Sequence, residues 1–489
     1  MSHAELRHLV FTRDLTALER YSDEIMRTSP ERRHAKDSLE IVGSLAQGEY
    51  VAAEALIEAA KYRYADTPSA ELINQSCQLY SAYIDFAFGR FGAVRAKASS
   101  VLAIPDTSSR IEPNDRIALY KLLADTAFML DDYEELEKIA IAAQRYDKDG
   151  DRDQALYFLN MIHGLVEFQR GDFKSAFALS ERAITIATKR SYVGVASDLT
   201  ARNIRYRALV AMARFEDAEL EAQDIIKRAE DERNWPWYFV TKGATIKRLA
   251  QENKMKQALA GVRALSEQIQ SFTFKNDLTL FVDAAELYVR YLLNDIERIH
   301  VLMNRLPELL IVKQIKIYLG SAARNERTLQ SLVDLPENNK RERLYKNVAL
   351  AEFYSAQESK ALPYVRQALA LTEETGYVQF LLLQTDLYDL FLKAAKMEPT
   401  AFTEEFARRL TEHIKNRNSQ NRGDLMEPLT SRELEILQHL ATGKPISSIA
   451  ASLHVSINTM KTHLRNTYRK LEVDGRESAV AKAKELLLF

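Results

Sequence analysis

Hydrophobic and polar positions along this 489-residue chain repeat on two scales. Within segments, apolar residues return every three or four positions, the period of a helix with one buried stripe. Between segments, a short turn-like fragment returns: "GEYVAA" at 48, "GRFGAV" at 89, "DDYEEL" at 131, "GDFKSA" at 171, "ARFEDA" at 213, "NKMKQA" at 253 and "NDIERI" at 294. Its bulky residues are Tyr50, Phe91, Tyr133, Phe173, Phe215, Met255 and Ile296, spaced 41, 42, 40, 42, 40 and 41 apart. Three residues beyond each stands Ala53, Val94, Leu136, Ala176, Ala218, Ala258 or Ile299, apolar and mostly small. The pattern predicts stacked helical hairpins. A polar turn ends the first helix, the bulky residue anchors the first turn of the second, and the residue at +3 lets the two approach closely. One hairpin cannot bury its own apolar stripe, so neighbours must stack into an α-solenoid. After Ile299 the register blurs, and "SAQESKALPYVRQALALTEETGYVQFLLL" (355–383) reads as a late repeat out of phase.

A polar run, "KNRNSQNRGDLMEP" at 415–428, separates this array from a different pattern. It predicts a helical repeat domain over 1–414, a linker over 415–427 and a C-terminal domain over 428–489. Thr430 and Glu433 have capping-box spacing, and Leu429 and Leu434 that of a hydrophobic staple. Leu434, Leu437, Leu440 and Ala441 follow at helical spacing, and Gly443 ends the helix. A second helix starts with Pro445 in its first turn. Ser456 caps a third that runs to about Leu471. Asp474 and Glu477 mark the start of a fourth, with Ala479, Val480, Ala483 and Leu487 on one face. Helix, helix, tight turn and cationic helix is the helix-turn-helix arrangement. Ile449, Leu453, Val455, Met460, Leu464 and Leu471 would hold the pair together, with small Ala450 at the crossing. The opposite face of the third helix carries Lys461, Thr462, Arg465 and Arg469, placed to project together into a major groove.

Composition sharpens this picture. Glycine is scarce at 15 and proline at 11, which favours an all-α chain. The 67 basic and 69 acidic residues nearly cancel, but not evenly. From Glu427 onward nine Lys/Arg face seven Asp/Glu, leaving 58 against 62 in the rest, so contact with a polyanion belongs to the C-terminal part. Cys77 is the sole cysteine, which excludes an intrachain disulfide and a cysteine zinc site; it is expected as a buried apolar residue. The charged N-terminus and the lack of a membrane-length apolar run point to a cytoplasmic protein. Phosphate-loop, dinucleotide, zincin and nucleophile-elbow patterns do not occur, so no catalytic residue, cofactor or metal is expected and the chain does not read as an enzyme. His463 has no second histidine or cysteine at ligand spacing and reads as a packing or phosphate-contacting residue. Trp235, Trp237 and Tyr238 read as core.

The turn "GDFKSA", and "GEYVAA" almost as well, resembles the tetratricopeptide class, though the period exceeds the ~34 residues of that repeat. The longer unit looks more like the superhelical sensor domain of MalT-like regulators, without the ATPase module of those proteins. "LTSRELEILQHLATGK…IAASLHVSINTMKTHLRNTYRKLEV…R..AV" resembles the LuxR-type DNA-binding domain over about 60 residues. That resemblance implies a four-helix domain with base contacts near Lys461, Thr462 and Arg465. It implies phosphate contacts near Ser456, Asn458, Thr459, Arg469 and Lys470, and a dimer contact on the fourth helix at Ala479, Val480, Ala483 and Leu487. Pro445, Ile446, Ser448, Thr467 and Glu472 depart from the family's usual residues without removing the cationic face. The expectation is a bacterial, DNA-binding transcription regulator, cytoplasmic and nucleoid-associated when bound. It would be a homodimer on double-stranded DNA, with a repeat domain that takes a peptide, small-molecule or protein effector. The rival expectation is an interaction scaffold whose helix-turn-helix serves dimerisation.

Overall fold

The computed structural model describes residues 15–28, 33–148 (apart from 107 and 110), 152–192, 197–321 (apart from 275 and 294), 325–423 and 429–485 (apart from 454, 456 and 472). Among these every regular element is helical. All seven bulky repeat residues open a helix: Tyr50–Tyr64, Phe91–Leu102, Tyr133–Ala143, Phe173–Arg190, Phe215–Asp231, Met255–Gln270 and Ile296–Arg305. All seven residues at +3 are fully buried. Ile296 departs from the expected anchoring role, because it starts its helix but stays 39 % exposed.

The turns share a backbone signature that the sequence hides. Two residues before six of these helix starts, Gly48, Gly89, Asp131, Gly171, Ala213 and Asn253 adopt positive φ, between +53° and +83°. The following amide then reaches back five residues to the helix before it: Arg90 N to Asp85 O at 2.8 Å, Asp172 N to Glu167 O at 2.9 Å, Lys254 N to Leu249 O at 2.8 Å. This is the closure of a left-handed helix cap, which satisfies carbonyls that the helix end would otherwise leave unpaired. Glycine fits such φ values without strain, whereas half of these turns carry a side chain there.

The array coils tightly enough to meet itself. The turns that join the two helices of early hairpins seat on later parts of the array, at interhairpin loops or on helices. Arg233 Nη1 donates to Gly48 O at 3.3 Å, and Tyr50 OH to Glu232 O at 2.9 Å. Asp277 N donates to Gly89 O at 2.9 Å, and Leu310 N to Asp131 Oδ2 at 2.9 Å. Arg341 Nη2 donates to Phe168 O, and Arg409 Nη2 to Met212 O and Ala213 O at 3.0 and 2.9 Å. An offset of 185 residues from Gly48 to Arg233, against a period near 41, is roughly four and a half hairpins per superhelical turn. Successive turns therefore stack edge to edge, and the open groove of an extended array is replaced by a walled lumen. Its centre holds a cavity of about 280 Å³, lined by first helices of hairpins from both turns. Trp237 and Tyr238 are buried in the array, and Cys77 is a buried thiol pushed up to about 11 by burial.

Toward the C-terminus the helix Ala401–Gly423 continues through the first part of the polar run expected as linker. The helices Ser431–Ala441, Ile446–Ser452, Ile457–Leu471 and Arg476–Glu485 follow, around a core of their own.

Candidate nucleic-acid interface

The C-terminal domain is built from its caps inward. Thr430 begins the helix Ser431–Ala441 with a complete capping box: Glu433 N donates to Thr430 Oγ1 at 3.2 Å, and Thr430 N donates to Glu433 Oε2 at 2.8 Å. Leu437, Leu440 and Ile436 point inward, whereas Ala441, expected on the same stripe, is exposed. Gly443 leaves the helix at φ +76°. Pro445 stands one residue earlier than expected, as the N-cap of Ile446–Ser452 rather than inside its first turn. Ile449, Ala450, Leu453, Met460, Leu464 and Leu471 are buried together, and Val455 packs against them. Thr467 sits in this core without strain, because its hydroxyl donates to His463 O at 2.8 Å.

Burial of Met460, Leu464 and Leu471 fixes the rotation of the third helix. Thr459, Lys461, Thr462, Arg465 and Arg469 are consequently all exposed. Two guanidinium groups and an ammonium on one face of one helix form a cationic surface of groove width, with no carboxylate of that helix among them. Ser456, expected as cap and phosphate contact, lies outside the described residues, as does Leu487; Asn458 is described in its backbone alone.

Residues 427–483 match the family described as "Bacterial regulatory proteins, luxR family". This segment is a LuxR-type helix-turn-helix domain. Similar proteins include the response regulator protein VraR of Staphylococcus aureus, 45 % identical over 71 residues, which are 14 % of this chain and 34 % of that protein. VraR of Staphylococcus saprophyticus is 46 % identical over 70 residues, 14 % of this chain and 33 % of that protein. The chain thus spans about a third of the length of the curated relatives it matches.

Two groups of residues expected as contacts have partners inside the LuxR-type domain itself. Lys470 does not lie on the exposed face. Its Nζ is 2.8 Å from Glu433 Oε2, with the two side chains 9 % and 4 % exposed. Lys470 therefore ties the end of the third helix to the capping box of the first. Burial acts to raise the Glu433 carboxyl, but hydrogen bonds from Lys470 and Thr430 outweigh it and hold the group below the usual carboxylate range. Ala479 and Ala483 are fully buried against the domain's own core, with Val480 partly buried beside them. The outward face of the helix Arg476–Glu485 presents Glu477, Ser478 and Ala481.

Two arginines of the family pattern, Arg476 and Arg432, hold helix ends together, a role the pattern does not state. Arg476 donates from Nε and Nη2 to Leu440 O, at 3.2 and 2.8 Å, capping the first helix from the fourth. Arg432 reaches Leu453 O at the end of the second helix. Each conserves a carbonyl's hydrogen bonding across a helix end, and the pattern of charged residues alone does not distinguish them from surface arginines.

Proposed function

We propose that this chain is a transcription regulator whose C-terminal domain binds double-stranded DNA through the helix Ile457–Leu471. One observation carries the reading: the helix buries Met460, Leu464 and Leu471, and so exposes Lys461, Arg465 and Arg469 together. Lys461, Thr462 and Arg465 would meet base edges, while Thr459 and Arg469 would hold phosphates. VraR is by its name a response regulator, and the segment shared with it, which matches the luxR family of bacterial regulatory proteins, supports a regulatory role here. Dimerisation, if it runs through the fourth helix, uses Glu477, Ser478 and Ala481 rather than the buried alanines. The repeat domain, 1–414 with 415–427 leading into the DNA-binding domain at 428–489, would carry the effector site. Such a protein would reside in the cytoplasm and associate with the nucleoid when bound. The scaffold reading leaves the exposed cationic face without a purpose.

Full-length protein on a duplex-DNA column decides between them. Retention should fall steeply between about 50 and 200 mM salt, as phosphate contacts release counterions. Elution at the lowest salt, with K461A/R465A/R469A eluting at the same position, would remove the DNA reading.

A further inference from the structure

The lumen of the superhelix carries an arrangement that packing does not require. Four cations line the central cavity, Arg207, Lys247, Arg248 and Arg341, against a single carboxylate, Asp131. Arg248 is answered outside it by Glu219 and Glu252. Asp131 is already committed, accepting from Gln169 Nε2 at 3.1 Å and Leu310 N at 2.9 Å. Arg341 is 5 % exposed and donates to Phe168 O. Among the described residues no carboxylate lies within ion-pair distance of Arg207 or Lys247. Arg207 instead lies over two rings, 5.0 Å from the centroid of Phe128 and 4.8 Å from that of Phe168. Burial pushes Arg207 down to about 10. Burial, with the charge of Arg207 nearby and Asp131 opposing, pushes Lys247 down to about 8.

An independent observation stands in the same cavity. Gln379 is 1 % exposed, and neither its Oε1 nor its Nε2 has a hydrogen-bond partner. A buried primary amide without partners is costly, since it loses hydration and gains nothing in return. Around these groups the walls are apolar and aromatic, with Leu280, Phe281, Ala284 and Ile311 among them. A volume of about 280 Å³ is near the small end of the roughly 300–1,000 Å³ in which small ligands sit.

We propose that the lumen binds a small organic anion, its carboxylate or phosphate between Arg207 and Lys247, its polar edge on Gln379 and its apolar body against the aromatic wall. The inference rests on the reading of the repeat domain as an effector domain and narrows the effector to a small anion. Because the walls belong to both stacked superhelical turns, such a ligand would bridge them and stabilise the closed array.

Phenyl phosphate, which joins an aromatic body to a phosphate, is the probe, with inorganic phosphate beside it and benzyl alcohol as the neutral control. In calorimetric titration and thermal unfolding of the full-length protein, phenyl phosphate should bind with one-to-one stoichiometry and raise the Tm, while benzyl alcohol should not. R207M and K247M should each weaken binding at least tenfold, and Q379L severalfold. R465A, on the DNA-binding domain, should leave binding unchanged, which separates the lumen from the other cationic surface. K247M should also raise the Tm of the ligand-free protein, because it removes a half-buried charge from the cluster of cations in the lumen; it carries the test if R207M fails to fold. Absence of binding by both phosphates, or wild-type affinity in K247M, overturns the proposal. DNA retention measured on the same samples keeps the outcomes apart: loss of phosphate binding with DNA retention intact sinks this site alone, and the converse sinks the regulator reading alone.

Discussion

Arg465 and Lys470 are five residues apart on one helix and carry the same charge, yet the fold sends them to opposite tasks. Arg465 is exposed on the face opposite Met460 and Leu464, where a guanidinium can donate twice to one base edge. Arg465→Ala should cost ~1–3 kcal/mol of DNA binding and relax preference at one base pair. Binding curves on operator variants check this; a uniform loss across sequences would assign Arg465 to phosphate instead. Lys470 is nearly buried on Glu433, and that pair is a stability device. Glu433→Ala removes the capping box and strands a buried ammonium, so it should destabilise the C-terminal domain by about 3 kcal/mol. Its folded carboxyl is held below the ordinary value, so its contribution is present above pH ~4.3 and is lost as pH falls through the lower folded value. Acid titration of the domain's helix signal should therefore show a shallower acid limb in Glu433→Ala than in the wild type. Lys470 matches the family pattern legible in the sequence, and Arg465 stands at one of the base-contact positions that the resemblance implies. What the pattern did not show is that one lysine turns inward, because helical rotation at Lys470 depends on where Glu433 is brought by another helix.

At the scale of the element, the hairpin turn shows how far a sequence period reaches. Seven fragments gave the helix starts to the residue and the fully buried positions three residues later. They did not show the positive φ two residues before six of these starts, because glycine, aspartate, alanine and asparagine all occupy that place. The position makes opposite demands at two of its occurrences. At Gly171 (φ +83°) an added Cβ would stand 2.6 Å from Arg341 Cβ and 3.0 Å from its backbone nitrogen. Gly171→Ala should thus cost at least about 2 kcal/mol, from left-handed strain plus displacement of Arg341. Ala213 already bears that strain at φ +54°, so Ala213→Gly should stabilise the protein by about 0.5–1 kcal/mol, the strain relieved exceeding the flexibility added to the unfolded chain. Urea unfolding of the two variants, side by side, measures the opposed signs.

The whole molecule was the least legible scale. Repeat spacing announces that hairpins stack, but superhelical pitch depends on small rotations summed over several of them, and no local signal marks that Gly48 will meet Arg233. The lumen was hidden for the same reason: Arg207 and Lys247 stand one repeat apart on neighbouring helices, but Gln379 meets them only through the coil. In an open array each unit depends on its two neighbours, and protection against exchange grades from the ends inward. Here the bonds that cross between stacked turns join segments 168 to 199 residues apart. The array should open as one cooperative unit. Native-state hydrogen exchange should give the amides of Glu49, Arg90 and Asp172 a common opening free energy; protection rising stepwise from Glu49 toward the middle would contradict it. Closure also has a consequence for how the protein can change over generations. Repeat arrays ordinarily lengthen or shorten by duplicating or losing one unit. In this chain a hairpin gained or lost between residues 100 and 200 would shift by one place the cross-turn partners that flank it, leaving Arg233 away from Gly48 and Asp277 away from Gly89. The number of hairpins is therefore held by geometry, as the number of blades is in a ring, and variation is confined to the loops and to the ends.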